Sequence, residues 1–194
     1  TRNQDVCTNG GSLASINSTS GVLYAEINSL KGDVGSNRTI SLSDGTTANQ
    51  IRFYFPINIQ GQITARVDVS GSTIYVYGYN ITTSETPIKL AFRYSSNGMD
   101  FYVNGVLASS SPSSPSFTNN LNSLQFRRGD GVSGEDFYGK TKALAVWKEA
   151  LSDEELTLLT APTPVAPTFT LDFDEIANQF TFNRASLGTI VNEQ

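Results

Sequence analysis

"GKTKALAVWKEALSDEELTLL", residues 139–159, changes its hydrophobic period halfway along, and that change decides how the rest of the chain is read. From Lys140 to Lys148 the residues alternate as in a strand, with Leu144 and Val146 on one face and Ala143, Ala145 and Trp147 on the other. The alternation then stops. Ser152, followed by Asp153, Glu154 and Glu155, reads as a helix N-cap with acidic residues in the first turn, where they meet the positive end of the helix dipole and the unpaired backbone N–H groups. Leu151, Leu156 and Leu159 can then cover an apolar surface. The stretch predicts a last strand followed by one short helix.

Upstream of it the chain is a succession of strands. The expected ones are 22–28, 38–42, 50–55, 62–69, 73–79, 88–94, 100–103, 123–127 and 140–148, separated by turn-forming stretches such as "SDGTTAN", "VSGS", "SSNG" and "VNGV". This is an all-β pattern at the turn spacing of an antiparallel two-sheet sandwich. "SSSPSSPS" at 109–116 reads as a flexible surface loop, and the proline-rich residues 161–168 as a linker. The expected organisation is a sandwich over 1–160, the linker, and an extension over 169–194.

Alternation gives each strand two faces. Ile51, Phe53 and Phe55, then Ile63, Ala65, Val67 and Val69, then Ile88, Leu90, Phe92 and Tyr94 form apolar rows suited to packing one sheet on another. The opposite faces carry Arg52 and Tyr54, Arg66 and Asp68, Lys89 and Arg93, and Gln125 and Arg127. In "STIYVYGYN", residues 72–80, Tyr75, Tyr77 and Tyr79 share one face and Ile74 and Val76 the other.

Composition excludes several classes. The 194 residues, 38% of them hydrophobic, suffice for one substantial core. With a net charge of -5 and no long basic run, the chain lacks the dense cationic surface of a nucleic-acid binder. No transmembrane run or secretion signal is present in the sequence, so membrane insertion is not expected. A single cysteine, Cys7, forbids an internal disulfide, and the lack of histidine forbids nucleophile–histidine triads and His-ligated metal catalysis. The start at Thr1 reads as a processed product or an excised piece of something longer.

"IKLAFRYSSNGMDFYVNGVL", followed later by "FYGKTKALAVWKEALSDEEL", resembles the concanavalin A-like lectin/glucanase superfamily, in particular its laminin-G-like and pentraxin-like members. Asn104 and Gly105 match the hairpin turn of that pattern, Gly139 the start of its last strand, and Leu151 to Leu156 its closing helix turn. The resemblance spans about residues 10–160 and implies a jelly-roll sandwich with a short helix packed beside its end. In that family the aromatic at the position of Trp147 packs against the helix. Together with "GVLYAEIN", "ISLSDGT" and "LQFRRGDG", the chain is also similar to lectin-like modules of bacteriophage tail and virion proteins. "FTFNRAS" in the extension resembles the opening of a further phage module; alternatively Phe169, Leu171 and Phe173 add an edge strand to the sandwich.

The function expected from these residues is a non-catalytic carbohydrate- or surface-binding module in a virion or extracellular setting. Its partners would be a glycan or cell-surface ligand and other virion proteins. A purely structural virion domain is the alternative. A glycanase is a third, weaker one: the superfamily's enzymes carry an "ExDxxE" strand that is missing from the body of the domain, and "LDFDE" places Asp172 and Asp174 on one strand face only in the extension. The expected ligand contacts are the solvent side of the strand with Tyr75, Tyr77 and Tyr79, whose phenols offer flat apolar faces to sugar rings, with Arg52 and Tyr54 beside them. Tyrosine is also an ordinary residue of half-buried strands. The loop "RRGDGVSGED", residues 127–136, gathers Asp130, Glu135 and Asp136 as hard oxygen donors, and some relatives bind calcium at such rims, so Ca²⁺ is the one metal considered and no cofactor is required. "RGD" at 128–130 is a three-residue match of the kind that arises by chance, and the glycosylation sequons at Asn17, Asn37 and Asn80 matter only in a eukaryotic secretory pathway.

Overall fold

The computed structural model describes residues 7, 10–29, 36–81, 87–131, 134–162, 172–173, 180–184 and 188–191. Its strands are β1 (Gly21–Ser29), β2 (Arg38–Ser43), β3 (Gln50–Phe55), β4 (Gln62–Val69), β5 (Ser72–Asn80), β6 (Ile88–Ser95), β7 (Gly98–Val103), β8 (Val106–Ser111), β9 (Ser123–Gln125) and β10 (Gly139–Trp147), followed by helix α1 (Asp153–Thr160). They form two five-stranded sheets in the orders β5-β4-β3-β2-β9, here the front sheet, and β10-β1-β6-β7-β8, the back sheet. All pairings within these sheets are antiparallel. This is the expected sandwich.

The apolar rows meet between the sheets. Phe53 of the front sheet lies 5.7 Å from Phe101 of the back sheet, ring centre to ring centre, and Phe92, Tyr94, Leu23, Ile40 and Ile63 are fully buried around them. At roughly 2 kcal/mol per fully buried large apolar side chain, this layer is the main driving force of folding. The strand β8 departs from expectation: Ser109–Ser111 continue its pairing with β7 instead of opening a loop. A left-handed pair, Asn104 and Gly105 at φ 48° and 83°, closes the β7–β8 hairpin, the backbone that a two-residue turn needs to match strand twist.

The helix forms where the period breaks. Ser152 accepts the Glu155 N–H while the Glu155 carboxylate accepts the Ser152 N–H, a reciprocal capping box. Leu156 is fully buried against Val22, Tyr24, Ala91 and Tyr102 on the outer face of the back sheet, with Ala143, Ala145, Trp147, Leu151 and Leu159 packed around it. Trp147 meets Tyr24 edge-on at 6.1 Å. The polar residues of this face tie down the helix ends. Arg93 donates to the Leu151 carbonyl and pairs with Asp153, while Lys89 donates to the Ala161 carbonyl just past the C-terminus, where a cation is favoured. Bonds from Arg93 and Tyr102 hold the Asp153 carboxyl below its ordinary range.

The chain divides into two compact units, Thr1–Pro162 and Thr163–Gln194. In the second, β11 (Asp172–Phe173), β12 (Phe180–Arg184) and β13 (Gly188–Val191) form a three-stranded antiparallel sheet of their own. Of the residues considered for an edge strand, Phe173 lies in β11, whereas Phe169 and Leu171 fall outside the described residues, as does most of the proline-rich stretch. Among the described residues no helix is long and apolar enough to cross a membrane.

Candidate functional site

The tyrosine row faces the wrong way for the contact expected of it. Tyr75 is 6% exposed and meets Phe92 of the back sheet at 5.0 Å, Tyr77 meets Phe101 at 6.5 Å but keeps 37% exposure at the sheet edge, and Tyr79 packs partly buried against the same core. Burial pushes the Tyr75 hydroxyl pKa up to about 12. The solvent side of β5 carries Ile74 and Val76 instead, Val76 at 58% exposure. A bulge explains the reversal. The hairpin begins with Val69 opposite Ser72 and Asp68 opposite Thr73, but the next pair is Val67 with Tyr75, so Ile74 is the extra residue. Were Ile74 itself paired with Val67, Tyr75 would stand opposite Arg66 on the outside; a one-residue slip sends every later side chain to the other face.

Arg52 and Tyr54 do lie on the outer face of the front sheet, the Arg52 guanidinium stacked 4.8 Å from the centre of the Tyr54 ring. Around them is a face built almost wholly of polar side chains, most of them buried: Thr39, Ser41, Ser43, Gln50, Thr64, Asp68, Ser123 and Gln125. They are buried because the segment after β9 lies across the sheet. Ser41 donates to the Arg127 carbonyl at 2.6 Å, Ser43 to the Gly129 carbonyl at 3.1 Å, and the Gly129 N–H to Gln50 Oε1 at 3.2 Å. A Cβ on Gly129 would come within 2.5 Å of the Thr46 carbonyl, so only glycine lets this segment lie so close to the sheet.

Where the crossing segment ends, the sheet face opens as a cleft of about 290 Å³. Gln50, Arg52, Arg66 and Asp68 line it from β3 and β4, with Thr47, Gly71 and Arg128 contributed by the flanking loops. Asp68, 2% exposed, accepts from Arg66 Nε at 2.8 Å, Gln50 Nε2 at 2.9 Å and Thr73 Oγ1 at 2.8 Å. Arg66 Nη2 adds an ion pair to it at 2.8 Å, so the carboxylate fixes one edge of that guanidinium. Arg52 is directly opposite Arg66 in the β3–β4 ladder. It is 7% exposed and donates from Nη1 to Glu135 Oε2 at 3.3 Å, while its buried Nε has no partner among the described residues. Burial and the neighbouring Arg66 charge push its pKa down against the pull of Glu135 and Asp68.

The loop carboxylates considered for calcium are instead held by arginines. Asp130 takes Arg128 Nη2 at 2.7 Å, Glu135 takes Arg128 Nη1 at 3.2 Å as well as Arg52, and Asp136 Oδ1 lies 3.0 Å from Arg127 Nη2, near enough for an ion pair though not aligned as a hydrogen bond. Among the described residues no three His, Cys, Asp or Glu side chains come together as a metal set. The described carboxylates of this loop are thus engaged by arginine side chains. The Arg-Gly-Asp sequence closes on itself through the Arg128–Asp130 pair, whose bonds raise the Arg128 pKa.

Of the expected contacts, then, the structure brings Arg52 and Tyr54 together, buries Tyr75, and turns Tyr77 and Tyr79 to the inner side of β5, where Tyr77 stays exposed at the sheet edge. Arg66, Asp68, Gln50 and Arg128 were not expected at a site. The available signal was that "IRFYF" and "TARVD" each place an arginine on the polar face of neighbouring strands.

Solved structures share this architecture. The CBM40 module of the Ruminococcus gnavus IT-sialidase, determined with α2,3-sialyllactose bound, superposes with a TM-score of 0.60 at 13% identity over 82% of this chain and 96% of that one. The leech intramolecular trans-sialidase, in complex with 2,7-anhydro-Neu5Ac, gives 0.60 at 17% identity, covering 86% of this chain and 28% of that enzyme. The heptameric SAP-like pentraxin of Limulus polyphemus gives 0.61 at 14%, covering 98% and 90%. At these identities the likeness is one of fold. No curated protein matches the sequence. The family model of the concanavalin A-like lectin/glucanases superfamily matches residues 2–157, the whole span of the sandwich and the first part of its closing helix, and the chain belongs to that superfamily.

Proposed function

We propose that the chain is a non-catalytic, lectin-like module that binds a carbohydrate, free or on a surface, in the front-sheet cleft. The observation that carries this reading is the cleft itself: a concavity close to the roughly 300 Å³ at which small-ligand sites begin, lined by fixed donors and acceptors on a rigid sheet. A sugar needs many directed hydrogen bonds and little apolar enclosure, and Arg52, Arg66 and Thr47 offer them without rearrangement. Superfamily membership and the glycan bound by the R. gnavus module support the same class of ligand. The lining supports the non-catalytic reading. Its one carboxylate, Asp68, is taken up by Arg66, Gln50 and Thr73, whereas glycoside hydrolysis uses two carboxyl groups flanking the bond. Of the "LDFDE" pair, Asp172 lies in β11 of the second unit and Asp174 outside the described residues.

The setting we infer is a virion or extracellular surface, with other virion proteins as further partners; the resemblance of the quoted motifs to phage tail modules is its support. A glycan-array screen of the full chain tests the reading, paired with Thr47→Trp, which fills the cleft from an exposed rim position. Binding by the parent protein and its loss in a folded Thr47→Trp protein are expected. No binding to any glycan would favour a structural virion domain, and binding that survives Thr47→Trp would move the site elsewhere.

A further inference from the structure

We propose that Arg52 and Arg66 form an anion subsite, so that the saccharide taken by the cleft carries a carboxylate or sulfate group; this deepens the reading above and rests on the cleft being the glycan site. The two arginines stand directly opposite each other on one face of an antiparallel pair, a placement that destabilises the sheet when both partners carry the same charge. Such a pair is retained where something else neutralises it. The protein's own carboxylates do so only in part. Asp68 holds Arg66 through Nε and Nη2, and Glu135 reaches Arg52 through Nη1 at the long distance of 3.3 Å while also serving Arg128 and Thr39.

That leaves donors on both guanidinium groups, Arg66 Nη1 and Arg52 Nη2, with no hydrogen bond among the described residues, and Arg52 Nε buried without a partner. Arg128, the third guanidinium of the cleft, is spent on Asp130 and Glu135 and adds little net charge. The chain as a whole is acidic, at -5, so this cationic point is local. The depressed basicity of Arg52 is what an under-neutralised, buried cation beside a like charge should show. Two planar forks facing one cleft suit an anion that offers two or more acceptor oxygens on one atom, which a carboxylate and a sulfate ester both supply and a neutral hydroxyl does not. Asp68 acts as the positioning residue, locking one edge of Arg66 so that the other stays turned from it.

The test measures binding of the full chain to matched probes by calorimetry. Sialyllactose and sulfolactose are compared with lactose, and hyaluronan oligosaccharides with their carboxyl-reduced form, so that the arms separate carboxylate from sulfate. At least one acidic probe is expected to bind about tenfold more tightly than its neutral partner, since a charge-assisted hydrogen bond is worth more than a neutral one. The preference should shrink at high salt. Arg66→Gln, at a side chain one-third exposed and with a glutamine amide that still donates towards Asp68, should collapse the acidic-to-neutral ratio towards one in the folded protein. Acidic and neutral partners binding alike, with both lost in Thr47→Trp, would overturn the anion subsite and leave the lectin reading standing. An acidic preference that survives Arg66→Gln in a folded protein would also overturn it, and no glycan binding of any kind would overturn both.

Discussion

The two outer faces of this sandwich are built on the same kind of five-stranded sheet and finished in opposite ways. On the back sheet, Val22, Tyr24, Ala91 and Tyr102 form an apolar floor that α1 covers with Leu156, and two cations of that face, Lys89 and Arg93, hold the helix ends. On the front sheet the floor is Ser, Thr, Gln, Arg and Asp, the covering segment is held by hydrogen bonds instead of apolar contact, and it stops short of β4 to leave a cleft beside two arginines. The difference teaches where binding capacity can reside. A face closed by apolar burial has no polar group left to offer, because any it kept would be desolvated without a partner. A face closed by hydrogen bonds can be left partly open, since water satisfies the exposed donors until a ligand does.

The sharpest way to break the comparison is to remove the apolar cover. Leu156→Ala should cost about 3 kcal/mol, as for other fully buried leucines, read as a lowered urea midpoint, while glycan binding by the folded fraction is retained. Loss of binding together with stability would show that the two faces are coupled. On the front sheet, Asp68→Asn should cost about 2 kcal/mol by the same measurement, because a buried acceptor of three donors loses its charge beside Arg66. A loss below about 1 kcal/mol would mean that the Asp68–Arg66 pair behaves as an ordinary surface ion pair. The smallest effect is expected at the reversed strand: Val76→Thr, on the exposed side of β5, should stay within about 0.5 kcal/mol. A larger loss would place that side of β5 against a partner.

Much of the front-to-back difference is legible in single strands. The alternation of "KALAVW" separates Leu144 and Val146 from Ala143, Ala145 and Trp147, and the structure places the first pair in the inter-sheet core and the other three on the helix side. Ser152 as N-cap and the "VNGV" turn are equally local, since capping and a left-handed turn depend on a few neighbouring residues. The candidate site was legible only in part. Arg52 and Tyr54 follow from alternation within β3, but Arg66, Gln50 and Asp68 become site residues through their cross-strand neighbours, and Arg128 through a segment whose Gly129 bonds to Gln50, 79 residues earlier in the chain.

The sequence by itself determined that β5 has two apolar-capable faces, that β3 and β4 each present an arginine opposite their core rows, and that the last strand hands over to a helix. It could not choose between the faces of "STIYVYGYN", because isoleucine and valine on one side and tyrosine on the other are both acceptable against a core. The tertiary structure made that choice through one extra residue, Ile74, which shifts the register so that Tyr75 and Tyr77 reach Phe92 and Phe101 across the sandwich. It also set Arg52 against Arg66. The physical reason is common to both: period-two alternation is a property of one strand, whereas the face it turns inward and the charge it meets are properties of the pairing, and pairing is settled by packing many residues apart in sequence.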